Sequence, residues 1–263
     1  MREVRRGAPP ILLVPAMIGL FFLLVPVLAL VVRAPWSTIL DELAAPPVRE
    51  ALALSLVCAS TATVFCIVVG VPLAWVLARV RFRGHRLVRA MVTVPLVLPP
   101  VVGGVALLLA FGRRGIVGRH LEQWFGVSLP FTTPGVIVAE AFVALPFLVI
   151  AVEGALRAGD RRYEDAAASL GASRWTTFYR VTLPLALPGV AAGAVLCWAR
   201  ALGEFGATLT FAGNFPGRTR TMPLAVYLAL ETDPQAAIVL SLVLLVVSVA
   251  ILVALRDRWL AAP

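Results

Sequence analysis

The 263-residue sequence predicts an all-α integral membrane protein with six transmembrane helices and both termini in the cytoplasm. Three observations lead there. Hydrophobic residues make up 60% of the chain, against about 45–50% in soluble domains, and the mean hydropathy is +0.95. The apolar residues gather in six stretches, roughly 11–32, 51–78, 91–111, 134–156, 184–203 and 235–255. All the basic residues but Arg200, which lies inside the fifth stretch, fall between those stretches, concentrated in alternate segments. Backbone N–H and C=O groups find no water in a bilayer, so each stretch must be helical.

The first stretch, Ile11 to Val32, follows Arg2, Arg5 and Arg6. It is about 33 Å long as a helix, enough to span, and longer than the apolar region of a signal peptide. It is therefore read as an uncleaved first span. The second and third stretches are joined by a segment carrying Arg79, Arg81, Arg83, Arg86 and Arg89. Pro95, Pro99, Pro100, Gly103 and Gly104 in the third, and Pro188 and Gly189 in the fifth, would break soluble helices; membrane bundles tolerate them as kinks and close contacts. The fifth stretch ends either at Gly203 or as late as Phe211, because Arg200 and Glu204 are the only breaks between Gly189 and Ala212.

All 23 basic residues are arginine. With the N-terminus inside, the inner segments hold fifteen of them: Arg2, Arg5, Arg6, the five just named, Arg157, Arg161, Arg162, Arg174, Arg180, Arg256 and Arg258. The outer segments hold seven, namely Arg33, Arg49, Arg113, Arg114, Arg119, Arg218 and Arg220. That bias sets the orientation. It also accounts for the net charge of +9 without nucleic-acid binding. Cys58, Cys66 and Cys197 all lie in apolar stretches without metal spacing and read as buried thiols; His85 and His120 are isolated.

The inner segment 157–183 carries the functional information. Asp160 is placed to cap a helix, Glu164 and Asp165 lie near its positive end, and Gly171 is placed to stop it in a left-handed conformation. Tyr163, Ala166, Ala167 and Leu170 fall at i, i+3, i+4 and i+7, one small, weakly apolar face. Its two central alanines bury too little area to anchor in lipid headgroups and suit close docking in a partner's groove. Ser173 is placed to cap a second helix through Trp175, Phe178 and Tyr179 that enters the membrane at Val181–Pro184.

The segment resembles the cytoplasmic loop motif of ABC importer permeases: Glu-Ala-Ala, three residues, Gly, nine residues, then Ile-x-Leu-Pro. Here it reads Asp165-Ala166-Ala167, three residues, Gly171, nine residues, then Val181-x-Leu183-Pro184, departing in Asp for Glu and Val for Ile. The resemblance implies a type I ABC importer transmembrane domain spanning the chain as one unit, 1–263, in the cytoplasmic membrane. It makes Tyr163, Glu164, Asp165, Ala166, Ala167, Leu170 and Gly171 the coupling helix. The implied partners are two ATP-binding subunits, an extracytoplasmic binding protein and a second copy of the chain placing the pathway on a two-fold axis. Within the family, "VPLVLPPVVGG" at 94–104, "FGRRGIVG" at 111–118 and "GEFGATLTFAGNFPGRTRTMPLAVY" at 203–227 resemble the molybdate-type permeases. Sulfate/thiosulfate permeases share part of the last stretch, and tungstate is a near-isostere of molybdate.

Arg113, Arg114, Arg218, Thr219 and Arg220 offer guanidinium and hydroxyl donors suited to a tetrahedral oxyanion on a substrate path or at the outer mouth. The same arginines equally suit pairing with acids of a binding protein or with phospholipid. Glu140, Glu153, Arg200 and Glu204 lie in or at the edges of spans. Arg200 and Glu204, four apart, favour a structural ion pair near the outer mouth over a substrate role. With no lysine there is no phosphate loop, so ATP and Mg2+ belong to the partner subunit and this chain holds no cofactor of its own. No nucleophile elbow, metal cluster or catalytic carboxylate pair is present, which excludes an enzyme. An ion-gradient-driven transporter would show inverted repeats and a midplane ion site, and the sequence shows neither.

Overall fold

The computed structural model describes residues 10–260. Arg2, Arg5 and Arg6, and the side chains of Arg256 and Arg258, lie outside that description. All regular elements among the described residues are helices, without strands, and five helices are long and apolar enough to cross a membrane.

Helix α1 (Pro10–Val32) matches the first expected span. Its apolar side chains are exposed all round, as for a helix set among lipid. A short α2 (Ile39–Ala44) leads to α3 (Pro46–Arg79), opened by its prolines and 34 residues long. At 1.5 Å per residue α3 is about 51 Å, well beyond the ~30 Å hydrocarbon core.

The third expected span, 91–111, is not one helix. It divides into α4 (His85–Val97) and α5 (Pro100–Phe111). Leu98 precedes two prolines and sits in an extended conformation, ψ 130°, because a residue before proline is driven out of the helical region. Neither piece alone spans the core. After the short α6 (Gly118–Phe125), α7 (Thr133–Ala158) begins with Thr132 accepting a bond from Gly135 N at 3.2 Å and runs straight through Pro146.

Helix α7 is the axis of the fold, packed on α3, α10 and α11. Ala59, Ala62, Cys66 and Gly70 of α3 meet Ala141, Ala144, Leu148 and Val149 of α7, with Val190, Gly193 and Cys197 of α10 against them. Small residues let these backbones approach, which matters in lipid, where apolar burial itself drives nothing. The three cysteines are buried and free, as expected from the sequence.

Between α7 and α10 lie α8 (Arg162–Ser169), α9 (Arg174–Thr177) and a π-helical turn, Phe178–Thr182. Helix α10 (Leu183–Leu202) stops at Gly203, the earlier of the two expected ends. The following segment is not a simple loop. It folds into α11 (Gly206–Ala212), buried between α5 and α7, and α12 (Met222–Thr232), before α13 (Pro234–Leu260). Ala207, Thr208, Phe211 and Ala212 are fully buried.

Candidate functional site

The two ends of α7 separate two candidate surfaces, about 39 Å apart along its axis. At its C-terminal end stands the α8 segment. Asp160 Oδ1 accepts from Arg162 N at 2.9 Å, so it serves the first turn, but the residue at the cap position is Arg161 rather than Asp160. Gly171 takes φ +82°, and Ala172 N donates back to Ala167 O at 3.0 Å, the six-to-one closure of a glycine-stopped helix. Ser173 Oγ accepts from Thr176 N at 3.1 Å, capping α9.

The apolar face of α8 points out. Tyr163 is 60% and Leu170 89% exposed, with Ala166 exposed and Ala167 half-buried between them. Trp175 and Tyr179, edge-to-face at 4.7 Å, continue an exposed aromatic surface beside it. Glu164 differs from its neighbours. Its Oε1 receives Arg79 Nη2 at 2.8 Å, Arg79 Nε at 3.1 Å and the Thr182 hydroxyl at 3.1 Å. It therefore points into the bundle and ties α8 to the end of α3 and the start of α10. Asp165 is exposed, and its carbonyl accepts from Ser169 Oγ. Sequence reasoning missed Arg79 and Thr182, because nothing in a loop motif says which distant arginine an acid will meet. Nearby, Glu153 is buried and held by Arg157 at 2.7 Å and Arg89 at 3.6 Å.

At the other end, a cleft of about 560 Å3 lies between the end of α5 and the start of α7. It brings together Arg113, Arg218, Ser128 and Thr132. Arg113 donates to Ser128 Oγ at 3.2 Å and lies 3.7 Å from Glu122. The Arg218 carbonyl accepts from Thr133 Oγ1 at 2.9 Å, which fixes the 213–221 loop to α7. The other expected donors are not gathered there. Arg114 is exposed and does not line the cleft, and Arg220 bonds Asn214 Oδ1 at 2.9 Å. Thr219 is fully buried, its hydroxyl accepting from Phe215 N at 2.9 Å, so it closes the loop from within rather than facing the cleft.

Arg200 and Glu204 form the expected ion pair, 2.6 Å apart, with Glu204 1% exposed. Glu204 Oε1 also accepts from Ala207 N at 2.9 Å, so the pair anchors the start of α11. Glu140 on α7 is also buried, and its Oε2 has no hydrogen-bond partner among the described residues. Ser55 of α3 receives Met222 N at 2.7 Å and fixes the start of α12.

Comparison with known proteins places this architecture. The family described as binding-protein-dependent transport system inner membrane component matches residues 70–262. The molybdenum transport system permease protein ModB of Mycobacterium tuberculosis is 50% identical over 244 residues, covering 93% of this chain and 92% of that protein. ModB of Escherichia coli K12 is 43% identical over 215 residues, covering 82% and 94%. A probable sulfate transport system permease protein, cysT of Zygnema circumcarinatum, is 34% identical over 246 residues, covering 92% and 85%. Among solved structures, a bacterial ABC transporter importing the polysaccharide alginate superposes with a TM-score of 0.76 at 18% identity, covering 95% of this chain and 94% of that one. The fold is that of a type I ABC importer transmembrane domain, and the chain belongs to the binding-protein-dependent transport system inner membrane components.

Proposed function

We propose that this chain is the permease subunit of an ATP-driven importer that carries molybdate across the cytoplasmic membrane by alternating access. The observation that carries the reading is the face of α8. A leucine 89% exposed beside an exposed tyrosine, on a helix braced from behind by Glu164, is an apolar surface prepared for a partner. In this reading α1, α3, α4 with α5, α7, α10 and α13 make six crossings, and both termini are cytoplasmic. Two ATP-binding subunits, which hold ATP and Mg2+, receive α8 from two copies of this chain. Their closure on ATP moves the α8 segments, and the Arg79–Glu164 contact passes that motion to α3. An extracytoplasmic molybdate-binding protein delivers the anion at the Arg113–Arg218 end. Identity to the two molybdenum permeases, above that to the sulfate permease, supports molybdate as cargo.

The test is uptake into proteoliposomes holding this chain, its ATP-binding partner and its binding protein. ATP-dependent molybdate accumulation that excess sulfate does not suppress is the expected result; a tungstate arm defines how far the pathway separates the two near-isosteres. Accumulation without ATP, driven by an ion gradient, would overturn the reading.

Two substitutions probe the surfaces separately. Ala166→Arg puts a long charged side chain in the middle of the docking face. It is expected to abolish co-purification of the ATP-binding subunit while leaving membrane insertion intact; an undiminished complex places the interface elsewhere. Arg218→Ala removes one of the two guanidinium groups of the opposite cleft. Uptake at limiting molybdate is expected to fall about tenfold, the order of one charge-assisted contact. Restoration by excess binding protein assigns Arg218 to docking, whereas a deficit that persists at saturation assigns it to the anion path.

A further inference from the structure

A cleft of about 770 Å3 shares only Arg79 with the proposed function. It lies on the α8 end of the bundle, between the C-terminus of α3, the turn into α4 and the end of α7. Arg79, Arg81, Arg86, Arg157, Arg161 and His85 line it, and no carboxylate does.

Three of the five guanidinium groups are engaged. Arg79 pairs with Glu164 at 2.8 Å, and Arg157 with Glu153 at 2.7 Å. Arg161 Nη2 donates to Ala78 O at 3.3 Å. Leu77 O meets both Arg157 Nη2, at 3.2 Å, and His85 Nε2, at 2.8 Å. The free carbonyls at the end of α3 are thus already met by Arg157, Arg161 and His85. Arg81 and Arg86 have no ion-pair or side-chain hydrogen-bond partner among the described residues. After the two paired acids are set against the five arginines, three positive charges remain on a walled concavity. Such a site concentrates anions.

The cleft is also ordered. Gly84 at φ +90° reverses the chain between α3 and α4, and Phe82 packs on the His85 ring at 5.5 Å. Immediately beyond, α4 carries Leu87 and Met91, four residues apart on one face, 65% and 64% exposed. An anionic head in the cleft with an acyl chain along α4 matches this sequence of charge and apolar surface.

We infer that the arginine-lined cleft between α3, α4 and α7 is a binding site for a phosphate-bearing anion, supplied either by an anionic phospholipid headgroup or by phosphate in solution. Fork-shaped guanidinium groups recognise phosphate oxygens in pairs. The inference is independent of the cargo and of the α8 docking reading.

The experiment uses the full chain with its ATP-binding partner in nanodiscs of phosphatidylcholine, with or without phosphatidylglycerol, and reads retained lipid by native mass spectrometry. Arg81→Gln and Arg86→Gln are expected to weaken phosphatidylglycerol retention about fivefold each, leaving phosphatidylcholine unchanged. The Arg81→Lys/Arg86→Lys variant keeps the charge but not the fork and is expected to keep an intermediate retention, above that of the double Gln variant, which separates charge from folding. In phosphatidylcholine alone, inorganic phosphate is titrated against thermal stability. Protection by phosphate without selective lipid retention, lost in the double Gln variant, supports the site with a soluble source. Selective retention without phosphate protection supports the lipid source. If the double Gln variant matches the wild type in both arms, the site does not exist.

Discussion

Glu164→Arg is expected to abolish ATP-driven uptake while the protein remains in the membrane. Glu164 Oε1 is the single atom on which Arg79 and Thr182 converge. The Arg79 side chain is only 9% exposed, and that of Glu164 20%. Removing one partner of a largely buried pair leaves the other without compensation, at a cost of about 3 kcal/mol. Substituting a like charge adds repulsion. A change of that size alters the ratio of braced to released α8 by roughly a hundredfold. The brace would be lost while the outward face of Tyr163, Ala166 and Leu170 keeps its composition. The expected phenotype is therefore uncoupling: the ATP-binding subunit still hydrolyses ATP, but uptake stops. Hydrogen exchange of the α8 amides should rise sharply. The charge-reversed double variant, Arg79→Glu with Glu164→Arg, should recover part of both. Unchanged amide exchange in Glu164→Arg would show that the brace does not hold α8.

Gly189→Leu is expected to have the largest effect on assembly of the bundle itself. A Cβ built on Gly189 collides with the Ala155 Cβ of α7, and the Ala151 carbonyl is 3.7 Å away. Four residues on, a Cβ built on Gly193 would meet Ala151 Cβ at 3.1 Å and Leu148 O at 3.2 Å. This run of α10 therefore approaches α7 backbone to backbone, as small-residue helix pairs do in membranes. A leucine there forces the helices apart along their contact. The cost is about 3 kcal/mol, at the upper end for overpacking a dense core. The fraction folded in a detergent denaturation series should fall accordingly. Ala155→Gly should restore part of it, because it removes the atom that collides. A Gly189→Leu protein with wild-type resistance to denaturant would mean that α7 and α10 can separate without loss.

The α8 segment shows how much of the site was legible in the sequence. The helix, its glycine stop and its outward face followed from the spacing of Tyr163, Ala166, Leu170 and Gly171, since these are local properties of a few consecutive residues. The inward turn of Glu164 was not legible, because its partner Arg79 is 85 residues away. The same division holds at the opposite end. Arg200 and Glu204 are four apart in the chain and paired as expected, with Glu204 just past the end of α10. Arg113 and Arg218 share a cleft that only the packing of α5, α7 and the 213–221 loop creates, while Thr219 was drawn inside that loop to satisfy a backbone N–H.

By itself the sequence determined the all-helical membrane class, the broad positions of α1, α3, α7, α10 and α13, and the shape of α8. Hydropathy, helical period and helix-stop chemistry act over a few turns of chain and need no partner. The prolines at 99 and 100 permit either a kink or a break in the third apolar stretch, and the tertiary structure decided for two helices; it alone decided that the segment after Gly203 returns as a buried helix. It also decided that α7 is the axis on which the others close. An apolar run is compatible with one long helix or two short ones. What separates them is whether the freed backbone groups and small residues find neighbours, as α11 does between α5 and α7.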